Sequence, residues 1–426
     1  MGGVSMEQVN SPWGFLPRGW RLSTIDEEKE RLTDYVANGS FASLASNVHY
    51  KDTEDYAVLI RLVDFNNDFK GPFVYIDEHA YSFLSKSSLS GGEIIISNVG
   101  ANVGTVFKCP NLPYKMSLAP NAITIKLKGD NDFYYYWFKS KIGQANIQAL
   151  VTGSAQPKFN KTNFRSMYIP VPPLDDQRRI ASILSSLDRK IELNNKINAD
   201  LEEMAQAIFK NWFVDFEPFK DGKFVDSELG MIPEGWKVGR LTDVIKLMPG
   251  GTPKTSEPLY WDNGTIPFFS PKDVNGVYCF ATEKHITETG LNKCSSNLYP
   301  KDTIFITCRG TVGKVCLAAC DMAMNQSNYA IKAIDGYSQY YVFFLVKSVV
   351  ERLIKKSNGA VFSAITSKDF DEEILIPSQK AVEDFTNMID GFFRRIFTIG
   401  TENSRLSALR DTLLPRLMSG ELEIPE

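Results

Sequence analysis

The sequence predicts an α+β protein made of two pseudo-symmetric mixed α/β globules and two long helices that form an antiparallel coiled coil. Three observations predict this fold class. The motifs of the first half return in the second half in the same order, each copy is rich in short β-type runs, and each copy is followed by a helical apolar pattern. A chain of 426 residues is also too long for a single core.

Three motifs carry the repeat. Leu16–Trp20 (LPRGW) returns as Ile232–Trp236 (IPEGW), a turn of the Pro-x-Gly-Trp type in both copies. The spacing between the copies shrinks slowly along the chain, as loops of different length in two copies of one fold require. Duplication implies two equivalent surfaces, so we expect a partner that is itself repeated. The two further pairs are Glu93–Ser97 with Asp302–Ile306, and Tyr168–Pro170 with Leu375–Pro377.

The β-type runs are short, and Gly, Pro and Asn separate them. Some alternate apolar and polar residues and others are entirely apolar, so we expect mixed, partly buried sheets. An aromatic helix is predicted in both copies, over Asp132–Ile142 and over Ser338–Lys355. The predicted strands are Tyr56–Val63, Glu93–Ser97, Thr105–Lys108 and Ala122–Leu127 in the first copy, and Pro267–Ser270, Asp302–Thr307, Val315–Ala319 and Tyr329–Ile334 in the second.

After each Ile-Pro strand, apolar residues recur at alternating steps of four and three, the spacing of a coiled-coil seam. Each helix of about 35–40 residues would be roughly 55–60 Å long. Because each helix leaves its globule at its own start, we expect antiparallel pairing with one globule at each end; a bundle buried in one large domain is the alternative. Asn198 and Asn403 occupy matching positions, and polar seam residues fix register. The predicted pairing residues are Ile180, Leu184, Leu187, Ile191, Asn198 and Leu201 in the first helix, and Ile389, Phe392, Ile396, Asn403 and Leu406 in the second.

The repeated motifs and the two helical patterns divide the chain into five predicted segments. These segments differ in charge. They are a first globular domain (1–172), a long central helix (173–215), a connector (216–232), a second globular domain (233–377) and a long C-terminal helix (378–420). The net charge is −4, yet residues 101–172 carry nine basic and two acidic side chains. Phosphate binding needs such a local basic surface rather than whole-chain charge. A face of ordinary solvated lysines is the alternative.

The composition predicts a cytoplasmic protein. No apolar run reaches the roughly 18 residues that span a bilayer, and residues 1–10 lack the pattern of a signal peptide. The six cysteines form no CxxC pair, so we expect buried free thiols rather than a metal site or a disulfide framework.

No catalytic or metal-binding constellation is predicted. The three histidines, His49, His79 and His285, are scattered without partners at ligand spacing. Gly310–Lys314 (GTVGK) has only two residues between its glycines, whereas a P-loop has four, so we interpret it as a tight turn between strands.

Polar and basic loop residues at equivalent places instead predict a binding surface, since such side chains contact base edges and phosphates. The candidate DNA-binding residues of the first copy are Asn98, Asn102, Ser154, Gln156, Lys158, Asn160 and Lys161. Those of the second copy are Thr252, Lys254, Lys272, Arg309, Thr311, Lys314, Asn325, Gln326, Asn328, Lys355 and Lys356.

Long motifs spread over the chain carry a family resemblance. They are Ile169–Leu174 (IPVPPL) with Gln177–Leu184 (QRRIASIL), Phe209–Phe219 (FKNWFVDFEPF) with Leu229–Trp236 (LGMIPEGW), and Leu409–Glu421 (LRDTLLPRLMSGE). In these motifs the chain closely resembles the specificity (S) subunit of type I restriction-modification systems. The strings are long enough that chance agreement is improbable.

The resemblance implies two target recognition domains, each reading one half of a split, asymmetric DNA site, with the paired helices fixing the unread gap. It also implies two methyltransferase subunits that use S-adenosylmethionine, and restriction (translocase/endonuclease) subunits that use ATP and Mg. This chain itself would hold no cofactor and perform no catalysis. A non-catalytic coiled-coil scaffold with protein- or RNA-binding globules is the alternative, and a degenerate methyltransferase is a third.

The two copies differ at the glycine turn, where Asn98–Gly100 (NVG) stands against Cys308–Gly310 (CRG). The difference leaves Arg309 without a basic counterpart in the first copy. Because the family's base-contacting residues vary with the target, the resemblance assigns no contact to any single residue. Unlike turns fit two domains that read different sequences.

Overall fold

The structure is a computed structural model, and it describes residues 10–334, 336–356 and 364–422. The chain divides into two compact units. Unit 1 comprises Met1–Arg189 and Ser407–Glu426, and unit 2 comprises Lys190–Leu406. Each long helix therefore contributes one part to each unit. The five-segment division is a finer one and stays a prediction.

Unit 1 contains twelve strands and seven helices within its described residues, and the first long helix begins there. The strands are β1 (Asn10–Ser11), β2 (Gly14–Phe15), β3 (Arg21–Thr24), β4 (Lys29–Asp34), β5 (Ala57–Ile60), β6 (Val74–Ile76), β7 (Ser88–Leu89), β8 (Ile94–Ser97), β9 (Val106–Lys108), β10 (Lys115–Leu118), β11 (Ala122–Leu127) and β12 (Tyr168–Val171). The helices are α1 (Ile25–Glu28), α2 (Phe41–Asn47), α3 (Leu62–Asn66), α4 (Glu78–Phe83), α5 (Asn131–Lys139), α6 (Lys141–Ala149), α7 (Lys161–Arg165) and the long α8 (Leu174–Phe213).

Three groups of strands build the core of unit 1. An antiparallel sheet has the order β4-β11-β8-β9, and a second sheet has the order β6-β5-β10-β7, in which β5 and β10 are parallel. β3 and β12 form a separate antiparallel pair. The run Ile94–Ile96 in β8 is fully buried, because β-branched residues suit a strand that is covered on both faces.

Unit 2 holds the remaining elements. The strands are β13 (Phe224–Val225), β14 (Ile232–Pro233), β15 (Lys237–Arg240), β16 (Ile245–Pro249), β17 (Ile266–Phe269), β18 (Tyr278–Cys279), β19 (Lys284–Ile286), β20 (Ile304–Thr307), β21 (Val315–Ala318), β22 (Ala323–Met324), β23 (Asn328–Ala333) and β24 (Glu373–Ile376). The helices are α9 (Glu288–Leu291), α10 (Gln339–Lys356) and α11 (Gln379–Met418), the last of which ends in unit 1.

The strand order of unit 2 repeats that of unit 1. The sheet β16-β23-β20-β21 corresponds to β4-β11-β8-β9, with β18 added at one edge. The parallel pair of β17 and β22, with β19 beside it, corresponds to β5 and β10 with β6. β15 pairs with β24 as β3 pairs with β12. The predicted fold class, a repeated mixed α/β globule with two long helices, is confirmed.

One predicted strand ends early. The pattern predicted a strand over Tyr56–Val63, whereas β5 ends at Ile60 and helix α3 follows. The cause is local: the Asp64 carboxylate accepts hydrogen bonds from the backbone N–H of Arg61 at 2.9 Å and from its guanidinium at 2.6 Å. This contact satisfies a free N–H at the helix start, so the chain turns into a helix although its apolar residues also suit a strand.

The aromatic helix of the first copy is broken in two. The predicted helix Asp132–Ile142 is interrupted at Ser140, whose Oγ accepts a hydrogen bond from the N–H of Gly143 at 3.1 Å and so caps α6. A Cβ at Gly143 would collide with the carbonyl oxygen of Trp137, so the bend requires glycine. The corresponding helix of the second copy, α10, runs without a break.

Within unit 2 the long helices pair antiparallel, as predicted. The Nδ2 of Asn194 donates to the Oδ1 of Asn403 at 2.8 Å, and the ring of Phe209 lies 5.9 Å from that of Phe385. Contact positions therefore rise along α8 while they fall along α11. In unit 1 the start of α8 and the end of α11 share a core that includes Leu184 and Leu417.

The structure places the predicted helix-pairing residues at different depths. Phe393, rather than its neighbour Phe392, is fully buried, where its ring stacks on Tyr340 at 4.1 Å. α11 therefore covers α10 as well as α8. Its buried apolar stripe is for this reason wider than the stripe of a simple coiled coil, in which only two positions of each heptad are buried. Ile180, Leu184, Ile389 and Ile396 are buried, while Leu187, Ile191, Asn198, Leu201, Phe392, Asn403 and Leu406 are partly buried.

The polar layer of the seam does not join the two asparagines at matching positions of the repeat. Asn403 hydrogen-bonds with Asn194 and Asn195 instead of with the matching Asn198. The Oδ1 of Asn198 is buried without a hydrogen-bond partner among the described residues. Antiparallel pairing explains the difference, since equivalent positions of two repeats need not lie opposite one another across the seam.

The aromatic contact between α8 and α11 should dominate the stability of unit 2. Phe385 is fully buried, with ring centroids of Phe213 and Phe209 at 5.0 and 5.9 Å. We expect Phe385→Ala to lower the unfolding free energy by about 3–5 kcal/mol. Met388 on the same helix is 49% exposed, so Met388→Ala should change it little. Urea unfolding followed by tryptophan fluorescence measures both, and equal effects would contradict the packing described.

An ion pair between exposed Arg21 and the buried carboxylate of Glu28 in unit 1 should make stability depend on pH. Arg21 donates to the Glu28 carboxylate at 2.7 Å, and this contact, helped by Ser23, lowers the pKa of Glu28 below its ordinary value. The stabilisation is therefore complete above the pKa of the unfolded chain and is lost as pH falls through the lower pKa of the folded state.

Glu28→Gln should accordingly reduce the unfolding free energy more at about pH 7 than at a pH low enough to protonate the native carboxylate as well. Glu30→Gln is the matched control, since Glu30 is exposed and its contact with Lys126 is a surface ion pair. Urea unfolding at both pH values gives the comparison. A loss for Glu28→Gln that is the same at both pH values would contradict the assignment.

Candidate nucleic-acid interface

Three loops meet at the end of β8 in unit 1, and together they are called loop surface 1: residues 98–104, 120–121 and 152–160. The backbone N–H of Asn98 donates to the carbonyl oxygen of Asn121 at 3.0 Å, and the N–H of Phe159 donates to the carbonyl oxygen of Asn98 at 3.1 Å. Val99 and Lys158 face each other in an isolated antiparallel bridge. Backbone contacts alone therefore join segments that lie far apart in the sequence.

Unit 2 repeats this arrangement at the end of β20 in loop surface 2, which comprises residues 308–314, 325–328 and 364–366. The N–H of Cys308 donates to the carbonyl oxygen of Ser327 at 3.0 Å, and the N–H of Ile365 donates to that of Cys308 at 2.9 Å. Arg309 and Ala364 face each other in the equivalent bridge. The two surfaces thus share one backbone plan.

The glycine turns at the centre of both surfaces are also alike. The N–H of Gly104 donates to the carbonyl oxygen of Ser97, and that of Gly313 to the carbonyl oxygen of Thr307, each at 2.8 Å. Gly104 has a φ of +93° and Gly313 a φ of +86°, a region that residues with a Cβ rarely adopt. Both motifs are therefore tight turns between strands, as the sequence predicted for Gly310–Lys314.

The aromatic helix of each copy supports its turn. The Nε2 of Gln148 in α6 donates to the carbonyl oxygen of Val103 at 3.0 Å. In unit 2, a Cβ at Gly313 would lie only 2.9 Å from Val350 of α10, so the turn rests directly on that helix. A turn held by a helix and two loops keeps its exposed side chains in a defined place.

Most of the predicted residues of the first copy lie on loop surface 1, and some already have internal partners. The Nζ of Lys161 lies 2.7 Å from the Oδ1 of Asp34, and the Oδ1 of Asn160 accepts a hydrogen bond from the N–H of Asn163, which caps α7. Asn98 is partly buried. The residues exposed on the surface are Asn102, Ser154, Gln156, Lys158 and Asn160.

Predicted residues of the second copy also divide by role. Asn328 is buried and donates to the Oδ1 of Asn325 at 2.7 Å, so this pair supports the loop from inside. The hydroxyl of Thr252 hydrogen-bonds to Gln326, which joins the segment with Lys254 to loop surface 2. The exposed members of that surface are Arg309, Thr311, Lys314 and Gln326.

Besides Lys254, three predicted lysines lie outside loop surface 2. Lys272 belongs to a 3-10 turn, and its Nζ is 3.8 Å from Glu283. Lys355 and Lys356 occupy the last turn of α10, and Lys356 pairs with Glu372 at 2.8 Å. The sequence could not reveal these positions, because the residues around an exposed lysine do not show which face of the domain it occupies.

Sequence reasoning missed residues that only the fold brings to the surface. Asn121 is exposed with a φ of +70°. The preceding Pro120 indicates a turn, but the sequence does not show which other loops this turn approaches in the fold. A concave region of about 580 Å³ adjoins loop surface 1 and is lined by Tyr50, Asn121 and Phe41, among others. Phe41 is 82% exposed. Nothing in the local sequence predicted this aromatic edge.

The described residues contain buried cysteines and no cluster of metal ligands. No group of three or more His, Cys, Asp and Glu side chains among them could hold a metal ion. Burial raises the pKa of the Cys279 and Cys308 thiols to about 12, so both stay protonated and unreactive near neutral pH. Across the described part of the chain, no helix combines the length and apolarity needed to cross a bilayer.

Two matched loop surfaces on a duplicated fold define a class of protein, a recognition protein with two binding domains. A profile for the type I restriction modification DNA specificity domain matches residues 37–203 and 233–392. The chain belongs to this family and carries its domain twice. As a member, it is a non-catalytic component that recognises DNA and assembles with other restriction-modification subunits, and it carries no catalytic cofactor of its own.

Individual relatives agree with this assignment. The type I restriction enzyme MjaIX specificity subunit of Methanocaldococcus jannaschii is 29% identical over 70% of this chain and 70% of its own length. The HindI specificity subunit of Haemophilus influenzae is 27% identical over 62% of this chain and 71% of its own length. A crystal structure of the S subunit of a type I restriction-modification system from M. genitalium has the same fold, with a TM-score of 0.52 at 16% identity over 93% of this chain and 96% of that one.

The exposed lysine of loop surface 1 should contribute to DNA affinity through charge. We expect Lys158→Ala to weaken binding on all sequences and to reduce the slope of log K against log salt by about one. Lys126→Ala is the matched control, since Lys126 pairs with Glu30 at 2.7 Å. Fluorescence anisotropy over a salt series, with partner subunits present, measures both slopes. An unchanged slope for Lys158→Ala would show that Lys158 does not contact the DNA.

Proposed function

We propose that loop surfaces 1 and 2 each read one half of a split, asymmetric DNA target. The observation that carries this proposal is the shared backbone plan with unlike exposed side chains. Asn98 and Cys308 make the same pair of backbone hydrogen bonds. The exposed side chains differ, with Lys158 and Gln156 on loop surface 1 and Arg309 and Lys314 on loop surface 2. Equal scaffolds with different polar groups would dock alike on a duplex and select different bases.

The two long helices would set the unread gap between the half-sites. A good bidentate contact discriminates between bases by about 1–3 kcal/mol, so one small domain specifies only a few base pairs. Tethering two domains makes the second encounter intramolecular, provided that the spacing suits the duplex. Half-sites on one face of DNA lie about 34–36 Å apart, and a helix of 40 residues, about 60 Å long, is sufficient to hold that separation.

The finer organisation belongs to the same proposal. Target recognition domains would occupy 1–172 and 233–377, with helices over 173–215 and 378–420 and a connector over 216–232. The chain would direct two methyltransferase subunits and the restriction subunits to the site. S-adenosylmethionine, ATP and Mg would be bound by those partners, in the cytoplasm.

Within each surface, the exposed residues are the proposed DNA contacts. Lys161 and Asn328 have internal partners, so we assign them to support of the loops. Lys356 lies outside loop surface 2 and pairs with Glu372. The proposed contacts are Asn102, Ser154, Gln156, Lys158 and Asn160 on loop surface 1, and Arg309, Thr311, Lys314 and Gln326 on loop surface 2, with Lys254 on the neighbouring segment that Thr252 joins to it.

Selection from a randomised duplex library tests the proposed function. The full chain with its methyltransferase partners is incubated with the library, and the bound duplexes are sequenced. We expect two short, different half-sites separated by a fixed unread gap. Enrichment of a single continuous site, or none at all, would contradict the proposal; a pure scaffold gives the second result.

The gap should follow the length of the helices. Inserting seven residues in α8 between Ile180 and Trp212, and seven at the facing position of α11, adds about 10 Å of helix. We expect the gap to grow by about three base pairs, with both half-sites unchanged. Inserting the same seven residues into the connector 216–232 is the control and should leave the gap as it is. If the gap stayed the same after the helical insertion, the long helices would not set its length.

A further inference from the structure

The bridge at the tip of each loop surface holds one cation, on opposite strands in the two units. In unit 1 the turn residue is Val99, and the facing residue is Lys158. In unit 2 the turn residue is Arg309, and the facing residue is Ala364. The residue of unit 1 that is equivalent to Arg309 is the uncharged Val99. The basic residue of that bridge is instead Lys158, on the facing segment. Each bridge therefore carries one positive charge, on the turn in unit 2 and on the facing segment in unit 1.

The equivalence of these positions rests on backbone geometry. Val99 follows Asn98 and Arg309 follows Cys308, and both preceding residues make the same pair of backbone hydrogen bonds. Residues that face each other in an antiparallel bridge direct their side chains to the same side. Lys158 and Arg309 therefore leave the same face of the two loop surfaces.

Both cations are available to a ligand. Lys158 and Arg309 are exposed, and none of the ion pairs among the described residues includes either one, whereas Lys161 is paired with Asp34. The facing residue, Ala364, has no polar side chain that could pair with Arg309. Thr311 and Lys314 are exposed on the same turn and offer a hydroxyl and a second positive charge.

We propose that Arg309 reads a guanine in the half-site of the second domain, an inference that rests on the proposed function. A guanidinium presents two parallel N–H donors that match the O6 and N7 acceptors of guanine in the major groove. The ammonium of Lys158 is a point charge without that fork, and it neutralises a phosphate instead. The same bridge therefore specifies a base in one half-site and anchors the backbone in the other.

A fixed main chain favours base reading at Arg309. The turn is held by the bridge to Ala364, by the bonds of Cys308 and by the support of Gly313 on α10. A bidentate contact needs this precision, since it fixes two hydrogen bonds at once. Lys314 on the same turn supplies charge for a neighbouring phosphate, so Arg309 is not needed for that role.

Three forms of the full chain with methyltransferase partners test the proposal in the randomised library. Arg309→Lys keeps the charge and removes the fork, Lys158→Arg adds a fork on the other surface, and the native chain is the reference. We expect the native chain to select guanine at one position of one half-site. In Arg309→Lys the preference at that position should fall about tenfold or more, with the other half-site unchanged.

The outcomes separate the two levels of the argument. If the native chain selects no bipartite site, the proposed function itself fails. If it selects a bipartite site and Arg309→Lys leaves every base preference intact, or lowers affinity equally on all sequences, the assignment of Arg309 is wrong. If Lys158→Arg changes no preference while Arg309→Lys does, the guanine assignment stands. Thermal unfolding of each variant checks that the fold is retained, and no exchanged side chain takes part in the backbone bridge.

Discussion

The backbone bonds around Asn98 and Cys308 are the constraint on which both recognition surfaces depend. In each unit one residue donates its N–H to one loop and offers its carbonyl oxygen to another. Backbone hydrogen bonds thereby join three segments that are distant in the sequence. Exposed residues can then differ between the copies, as Val99 and Arg309 do, while the turn stays in place. Under the proposed function, such a fold would change its target through these exposed side chains and keep its backbone contacts.

Much of the fold could be predicted because its causes are local. Apolar β-branched runs such as Ile94–Ile96 signal buried strands, and glycines such as Gly104 and Gly313 signal turns that need a positive φ. Their recurrence in one order revealed the duplication. The break at Ser140 was not predicted, since a serine within an aromatic run shows no sign of whether its hydroxyl will cap a new helix.

The recognition surface could be predicted only in part, because its members meet through backbone contacts between distant segments. Val99 and Lys158 lie on segments whose pairing leaves no mark in side-chain chemistry. Charge counting also overstated the free positive surface of residues 101–172. Several of its lysines pair internally at 2.7 Å, namely Lys108 with Asp132, Lys126 with Glu30 and Lys161 with Asp34. Position and partner, rather than composition, decide which cation can contact DNA.

Hydrogen–deuterium exchange of the full chain with its methyltransferase partners, with and without a selected duplex, tests the central claim most directly. If both loop surfaces contact DNA, amides of residues 98–104 and 152–160 and those of residues 308–314 and 325–328 gain protection together when the duplex is added. Protection that spares either set, or that falls only on the long helices, would contradict a protein that reads DNA through two copies of one clamped turn.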